Sequence, residues 1–208
     1  YQACLTEAFR QCPQLIRRWI TALSEALYER SLRASVPAEK RQLQLAVSAL
    51  KSSQSVIEEG FSVELTRAIA EDTRSAAAKK SSRATRSLSS ISFDELELMG
   101  DDQVQEAMDD ARFQQQLLAA ADAGLAGLAA RISTVQGSRV VQADRNPLRP
   151  EIISRALLAL IRQLPADPDA RARWLTHGAQ LLGNELQTFY ASLNDFLAGQ
   201  GVKPAAYG

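Results

Sequence analysis

The sequence is poor in the residues from which metal sites, nucleophilic catalytic sites and turn-rich folds are usually built. Its 208 residues include 1 histidine, 2 cysteines, 10 glycines and 7 prolines. One histidine and two cysteines do not supply a common metal-ligand set, and no glycine-rich phosphate loop or serine-nucleophile motif is present. We therefore expect neither a metal nor another cofactor, assign His177 a structural role, and interpret the protein as a non-enzyme. The low glycine and proline contents favour long helices over turn-rich β structure.

Net charge and long apolar runs are missing as well. The 24 basic residues balance the 24 acidic ones, so no overall field draws the chain toward nucleic acid or an anionic membrane. The sequence contains no run of about 18 apolar residues, the length that spans a bilayer. Nucleic-acid binding and a membrane span are therefore both disfavoured. The chain starts at Tyr1 without a signal peptide, and we expect a piece of a longer protein or a matured one.

The two cysteines lie close together near the start of the chain. In a continuous helix Cys4 and Cys12 are about 12 Å apart by rise alone, which is too far for a disulfide. We expect both to be small buried side chains in a reducing compartment, and therefore a cytoplasmic protein.

The sequence is rich in helical periodicity. In the first stretch, 3–34, Trp19 is expected to anchor the core, and Pro13 is expected to kink or briefly break the helix. A second helix is predicted over 37–71. Its apolar positions are Leu43, Val47, Leu50, Ile57, Phe61, Leu65 and Ile69.

The pattern on which the interpretation depends most runs from Asp101 to about Gln136, where we predict one long helix. Its apolar stripe consists of Val104, Met108, Ala111, Leu118, Leu125, Leu128, Ile132 and Val135. Such a stripe must be buried, and we expect other helices to cover it. Gln115 and Asp122 fall on the stripe, either at its edge or buried and paired with Arg155. An Ala- and Gly-rich part, 119–130, either packs closely on another helix or forms a groove for a partner helix.

Proline, aspartate and glycine mark the ends of the remaining helices. Gly137 is placed to end the central helix. Pro150 is placed to open a short apolar helix that stops at Leu164. Asp167 is placed to cap a last helix over 168–199.

Together these patterns predict an all-α fold, an elongated helical bundle of about four long helices plus one or two short ones. We divide the chain into a helical hairpin, 1–72, a flexible basic and serine-rich linker, 73–91, and C-terminal helices, 92–208, that pack with the hairpin into one bundle. The central helix begins either at a capping box formed by Ser92 and Glu95 or, in the reading we favour, after Gly100.

The linker carries basic side chains with no acid among them, including Lys79, Lys80, Arg83 and Arg86. Its composition is typical of a solvated linker, and the alternative is an extension of the preceding helix. These four side chains are candidates for contacting a phosphate group or a protein partner. The acidic segment from Asp94 to Asp110 is their simplest intramolecular partner.

Three segments, in this order, resemble those of a known family. They are LELMGDDQVQEAM at 96–108, NPLRPE at 146–151 and FYASLNDFLAGQGVKP at 189–204. Their order and spacing are similar to the amino-terminal region of the proteobacterial family called domain of unknown function 1631. Arg149 stands where the turn of the family has a glycine, and Phe189 stands where its helix has a leucine. The resemblance covers residues 91–204 well and the first hairpin loosely.

The resemblance implies a fragment of a longer cytoplasmic bacterial protein of unknown activity, and it carries over no catalytic residue. It also singles out Asn194 as the most distinctive polar residue of the last helix. We expect structural roles for Asn146 and Asn194, in which the Asn194 side chain bonds the connecting loop around Asn146.

The leading hypothesis is a non-enzymatic helical interaction or regulatory module of a larger bacterial protein. Its partner is another protein or the rest of its own chain, and a homodimer is compatible with the sequence. The alternative is a ligand-binding or cyclic-dinucleotide signalling module that uses the basic linker to hold phosphates.

Overall fold

The computed structural model describes residues 1–82 and 101–207, apart from the side chains of 79–82 and 101–102, and its main elements are α-helices. They are α1, Gln2–Arg33, α2, Pro37–Ser82, α3, Asp101–Val135, α4, Pro150–Gln163, and α5, Pro168–Gly199. A short 3₁₀ turn, Ala143–Arg145, follows α3. In the described part of the chain, β pairing is limited to one parallel bridge between Val140 and Ala206. The predicted all-α bundle is confirmed.

The α1–α2 hairpin forms one side of the bundle. The buried side chains of α1 recur at helical spacing on both sides of Pro13, and include Cys4, Ala8, Cys12, Leu15, Ile16, Trp19, Leu23 and Leu27. A proline inside a helix removes one hydrogen bond and costs about 3 kcal/mol. The helix is nevertheless unbroken through Pro13, because the residues on either side of it are held in the core. Of the two predicted alternatives, a kink or a brief break, the break does not occur.

The apolar positions predicted for α2 are buried from Leu43 to Leu65, and Ile69 is half-buried. The helix does not end near residue 71 as predicted, but continues to Ser82. Residues 73–82 thus belong to α2. For this part of the predicted linker, the alternative of an extension of the preceding helix is the one observed. Residues 83–91, like the capping box at Ser92, lie outside the described residues.

Helix α5 packs against α1, α2 and α3. Both tryptophans are fully buried and tie α5 to the hairpin. The Trp19 indole N–H donates to the Gly178 carbonyl at 2.9 Å, and the Trp174 indole N–H donates to the Ala46 carbonyl at 2.9 Å. Because the Nε1–H of a buried tryptophan needs an acceptor, each bond fixes where α5 sits along the hairpin.

The predicted helix ends are confirmed for α3, α4 and α5. Gly137 has φ +82° and follows α3 in a Schellman arrangement, in which its N–H donates to the Thr134 carbonyl and the Ser138 N–H donates to the Ser133 carbonyl, both at 2.9 Å. A side chain is strained at such a φ, which explains the glycine. Prolines open α4 and α5, and the Asp167 carboxylate caps α5 by accepting from the Asp169 N–H at 2.9 Å.

Helix α4 bridges α2 and α3. At its beginning, Arg149 forms an ion pair with Asp72 of α2 at 2.5 Å. At its end, Arg162 forms ion pairs with Glu106 and Asp110 of α3. These contacts join α3 to the rest of the bundle, in addition to its long contact with α5.

Candidate functional site

Helix α3 is apolar on two opposite sides, and the fold buries only one of them along most of its length. The buried side, here called the inner face, consists of Phe113, Leu117, Ala120, Ala121 and Leu128. Successive residues of a helix are rotated by about 100°, which places Val104, Met108, Ala111 and Leu118 on the opposite side. We call that side, from Val104 to Asp122, the outer face.

The inner face approaches α5 very closely because both helices carry small residues there. A Cβ atom added to Gly183 would lie 2.2 Å from the Ala120 Cβ, and one added to Gly124 would lie 3.1 Å from the Gln187 Cα. The Gln187 side-chain amide donates to the Ala120 carbonyl at 2.6 Å. The Ala- and Gly-rich part of α3 is therefore a packing surface for α5, the first of the two predicted alternatives.

The outer face is solvent-exposed, although its residues formed the first half of the predicted buried stripe. Val104 is 44% exposed, Met108 53% and Leu118 40%, and Ala111, Gln115 and Asp122 are exposed as well. The prediction that these apolar residues are buried is wrong. Residues at strict seven-residue steps drift by about 20° per step around a straight helix, so the stripe from Val104 to Ile132 does not stay on one side.

Toward the C-terminal end of α3, the chain itself reaches the outer side of the helix. The last residues before the end of the chain, 202–207, form a tail that lies beside α3. The Ala205 N–H donates to the Ala130 carbonyl at 3.0 Å, and the Tyr207 hydroxyl donates to the Ala126 carbonyl at 2.8 Å. Ala129, Ala130, Ile132 and Ser133 are buried in this region. The outer face is thus open only along the first two-thirds of α3.

Asn146 has the structural role that the sequence predicted. It is 1% exposed, and its side-chain oxygen accepts from the Leu148 N–H at 2.9 Å. The Arg149 guanidinium donates to the Asn146 carbonyl at 3.1 Å. These bonds shape the turn that leads into α4.

Asn194 does not bond this loop, contrary to the prediction. Its side-chain oxygen accepts from Arg131 of α3 at 3.0 Å. The bond between α5 and the loop comes instead from Tyr190, whose hydroxyl donates to the Leu148 carbonyl at 2.7 Å. Tyr190 lies one helical turn before Asn194 in α5, and its side chain reaches the loop from there. Complete burial raises the Tyr190 pKa well above its ordinary value.

The basic residues predicted to contact phosphate or a partner cannot be located as side chains. Lys79 and Lys80 lie in the last turns of α2, and their side chains are outside the described part. Arg83 and Arg86 are outside it entirely. The prediction about these four residues therefore stays a prediction.

A polar cleft between α1 and α5 was not found by sequence reasoning. It has a volume of about 230 Å³, and Leu15 and Phe189 form its apolar floor. The polar side chains that line it are Arg10, Gln11, Gln14, Arg18, Glu185, Thr188 and Ser192. Arg10 also forms an ion pair with Glu7 at 2.5 Å. In the sequence the only signal is the spacing of Arg10, Gln14 and Arg18, which places them on one side of α1.

The titratable groups suggested by the sequence lie apart from one another. Cys4 and Cys12 are buried free thiols, as predicted, and burial raises the Cys12 pKa to about 12. Burial, followed by the charges of Arg30 and Arg173, lowers the His177 pKa. Among residues 1–82 and 101–207, no three histidine, cysteine or acidic side chains form a group that could hold a metal ion.

Within residues 1–82 and 101–207, one helix, from Gln103 to Val135, is long and apolar enough to cross a membrane. The core helices of soluble proteins often pass the same test, so this result carries no weight in either direction. It does reflect the unusual property of α3, which is apolar on two sides.

A family model described as "Protein of unknown function (DUF1631) N-terminal domain" matches residues 1–201. The chain belongs to this family. The match extends over the first hairpin, where the sequence resemblance was loose, and confirms the family predicted from the three segments. In this DUF1631 domain Arg149, at the turn that leads into α4, forms the ion pair with Asp72. No curated protein and no solved structure matches the chain.

Proposed function

We propose that this DUF1631 domain is a non-enzymatic helical interaction module of a bacterial, cytoplasmic protein, and that the outer face of α3 is its docking surface. The observation that carries the proposal is the exposure of an ordered apolar strip opposite the buried side of α3. Isolated exposed apolar residues need no explanation. Val104, Met108, Ala111 and Leu118 are not isolated, because their spacing places them in one line along the helix.

The chemistry of the outer face fits an amphipathic partner helix. Apolar positions at steps of three, four and seven residues are the spacing by which one helix packs along another. Asp122 is exposed at one end of the strip, and within the described residues it makes no ion pair. A partner helix that places a basic or amide side chain opposite Asp122 would supply the polar contact that sets its register.

The buried thiols support the proposed cytoplasmic location. Cys4 and Cys12 are both free and buried. Small domains of secreted proteins commonly use their cysteines in disulfides, whereas buried unpaired thiols are typical of a reducing compartment.

A photo-crosslinking residue introduced at Leu118 in the natural protein tests the docking surface. Position 63 is the matched control, because Val63 on α2 is 60% exposed but lies outside α3. We expect position 118 to cross-link to one protein segment and position 63 not to do so. With the photo-crosslinking residue moved to position 108, Leu118→Glu should abolish cross-linking to the partner. It should leave the melting temperature of the domain nearly unchanged.

Equal cross-linking at positions 63 and 118, or none at 118, would contradict the proposal. Cross-linking to lipid, together with flotation of the protein on vesicles, would also contradict it, because the outer face would then be a membrane surface.

The α1–α5 cleft favours a second candidate function, the binding of a small anion. Guanidinium groups and hydroxyls are common partners of phosphate and carboxylate, and the cleft offers Arg18, Thr188 and Ser192. Arg10 is already paired with Glu7, and Glu185 adds one carboxylate to the lining. The cleft volume of about 230 Å³ lies below the roughly 300–1,000 Å³ of sites for drug-sized ligands. The cleft therefore suits inorganic phosphate or a small carboxylate better than a cyclic dinucleotide.

Calorimetric titration with inorganic phosphate and with a cyclic dinucleotide tests this candidate. Binding of phosphate that is lost in Arg18→Gln, but kept in Arg17→Gln, would support it, because Arg17 is paired with Glu58 outside the cleft. Absence of heat with both ligands would remove it, and the interaction module would stand alone.

A further inference from the structure

We propose that the segment that covers the outer face is the continuation of this chain's own C-terminal tail, which runs along α3 from Ala126 toward Val104. This inference rests on the proposed docking function. The family description names an N-terminal domain. On that ground we also propose that more chain follows in the natural protein.

The tail is held in place by several bonds. Next to the two bonds to α3, the Ala206 carbonyl accepts from the Val141 N–H at 3.0 Å, and the Ala206 N–H donates to the Arg139 carbonyl at 3.1 Å. Gly201, with φ +77°, turns the chain out of α5. The tail therefore leaves α5 in one direction only, across the end of α3.

The two α3 contacts also give the tail a direction. Ala205 bonds Ala130, and Tyr207 bonds Ala126, so the tail advances toward the start of α3. Ala205 makes its contact through the backbone N–H and Tyr207 through its side-chain hydroxyl. The order of the two contacts points the tail toward the start of α3.

The direction leads onto the uncovered strip. Ala126 lies four residues after Asp122, on the same side of the helix, so the Tyr207 contact lies next to the outer face. The strip from Asp122 back to Val104 is about 27 Å long. An amphipathic helix of about 18 residues that followed the tail would cover it, with a basic or amide side chain first, opposite Asp122, and apolar residues after it.

Oxidation of Met108 measures whether the strip is covered, because thioether oxidation follows exposure. Three proteins are compared by mass spectrometry after a timed dose of peroxide: the 208-residue chain, the longer natural protein, and the longer protein with Ala205→Pro and Tyr207→Phe. The two substitutions remove the N–H and the hydroxyl that bond α3. Lys203→Ala is the control, because Lys203 is exposed and makes no bond to α3 within the described residues.

We expect Met108 to be oxidised about tenfold more slowly in the longer protein than in the 208-residue chain. The slower rate should not depend on protein concentration. Ala205→Pro with Tyr207→Phe should return it toward the faster rate, and Lys203→Ala should not.

Three results would overturn the inference. Protection of Met108 that appears only as the protein concentration rises would identify a second copy as the occupant. That result would keep the proposed docking function but rule out the continuation of the tail as the covering segment. Protection already present in the monomeric 208-residue chain would show that this chain covers the strip unaided. Full exposure of Met108 in the longer protein, alone and in the cell, would remove both the inference and the docking function.

Discussion

The two faces of α3 are made of different apolar residues, and the difference decides which one the fold buries. The inner face combines Phe113 and Leu117 with alanines and a glycine, and it meets the Gly183 backbone of α5 at very short range. The outer face carries Val104, Met108 and Leu118 without a glycine between them, and it remains exposed. Close approach of two helix backbones, rather than side-chain hydrophobicity alone, thus selects the buried face.

The adjacent leucines of α3 give the sharpest test of this difference. Leu117 is fully buried, whereas Leu118 is 40% exposed. Leu117→Ala should lower the free energy of unfolding by about 2–5 kcal/mol, because it leaves a cavity. Leu118→Ala should change it by less than about 0.5 kcal/mol. Denaturant unfolding of the two variants measures both values, and similar losses would mean that both faces are buried.

A smaller loss is expected where α3 and α5 touch most closely. Gly183→Ala places a methyl group 2.2 Å from the Ala120 Cβ, and overpacking of this kind costs about 1–3 kcal/mol. Ala120→Gly removes the opposing methyl group. The double variant should therefore be more stable than Gly183→Ala alone, and a double-mutant cycle measures the coupling. Simple additivity of the two changes would show that the helices do not meet there.

The smallest of these losses is expected at the loop, where Tyr190 and Asn194 can be compared. Tyr190→Phe leaves the buried Leu148 carbonyl without its partner and should cost about 1–2 kcal/mol. Asn194→Ala removes a half-buried bond to Arg131, and its cost should be smaller. Thermal unfolding of both variants measures the two losses of stability. A larger loss for Asn194→Ala than for Tyr190→Phe would contradict the roles assigned to these two residues.

The same tyrosine predicts a pH dependence. Burial holds its folded-state pKa well above the ordinary tyrosine value of about 10, so above that pH the unfolded chain loses the proton first. Stability from Tyr190 is complete below about pH 10 and falls as the pH rises further. Tyr190→Phe should flatten the decline, which denaturant unfolding at a series of pH values measures.

The helix ends and the faces of α2 were predictable because local chemistry determines them. Asp167 caps α5, Pro150 opens α4 and Gly137 closes α3 through bonds within a few residues. The buried apolar side chains of α2 are large and regularly spaced. They outnumber the exposed Leu45, Val56 and Val63 on the opposite side of the helix. The family, too, followed from short segments read in order.

The faces of α3 were not predictable in the same way. Its inner face depends on Ala120, Ala121 and Gly124, whose small side chains contribute little to an apolar pattern. The outer residues Val104, Met108 and Leu118 form an apolar line of their own, so the pattern fits either face. The contacts of Arg149 with Asp72 and of Arg131 with Asn194 join residues far apart in sequence, and helical spacing does not reveal such pairs.

Thiol labelling at adjacent positions tests the central claim, that one face of α3 is core and the other a docking surface. Cys4 and Cys12 are a silent background, since both are buried and burial raises their pKa values. Leu118→Cys should label rapidly in the 208-residue chain and slowly in the natural assembly, while Leu117→Cys should label slowly in both. Equal rates at positions 117 and 118 in the 208-residue chain would contradict the two-faced helix, and rapid labelling at 118 in every assembly would contradict the docking surface.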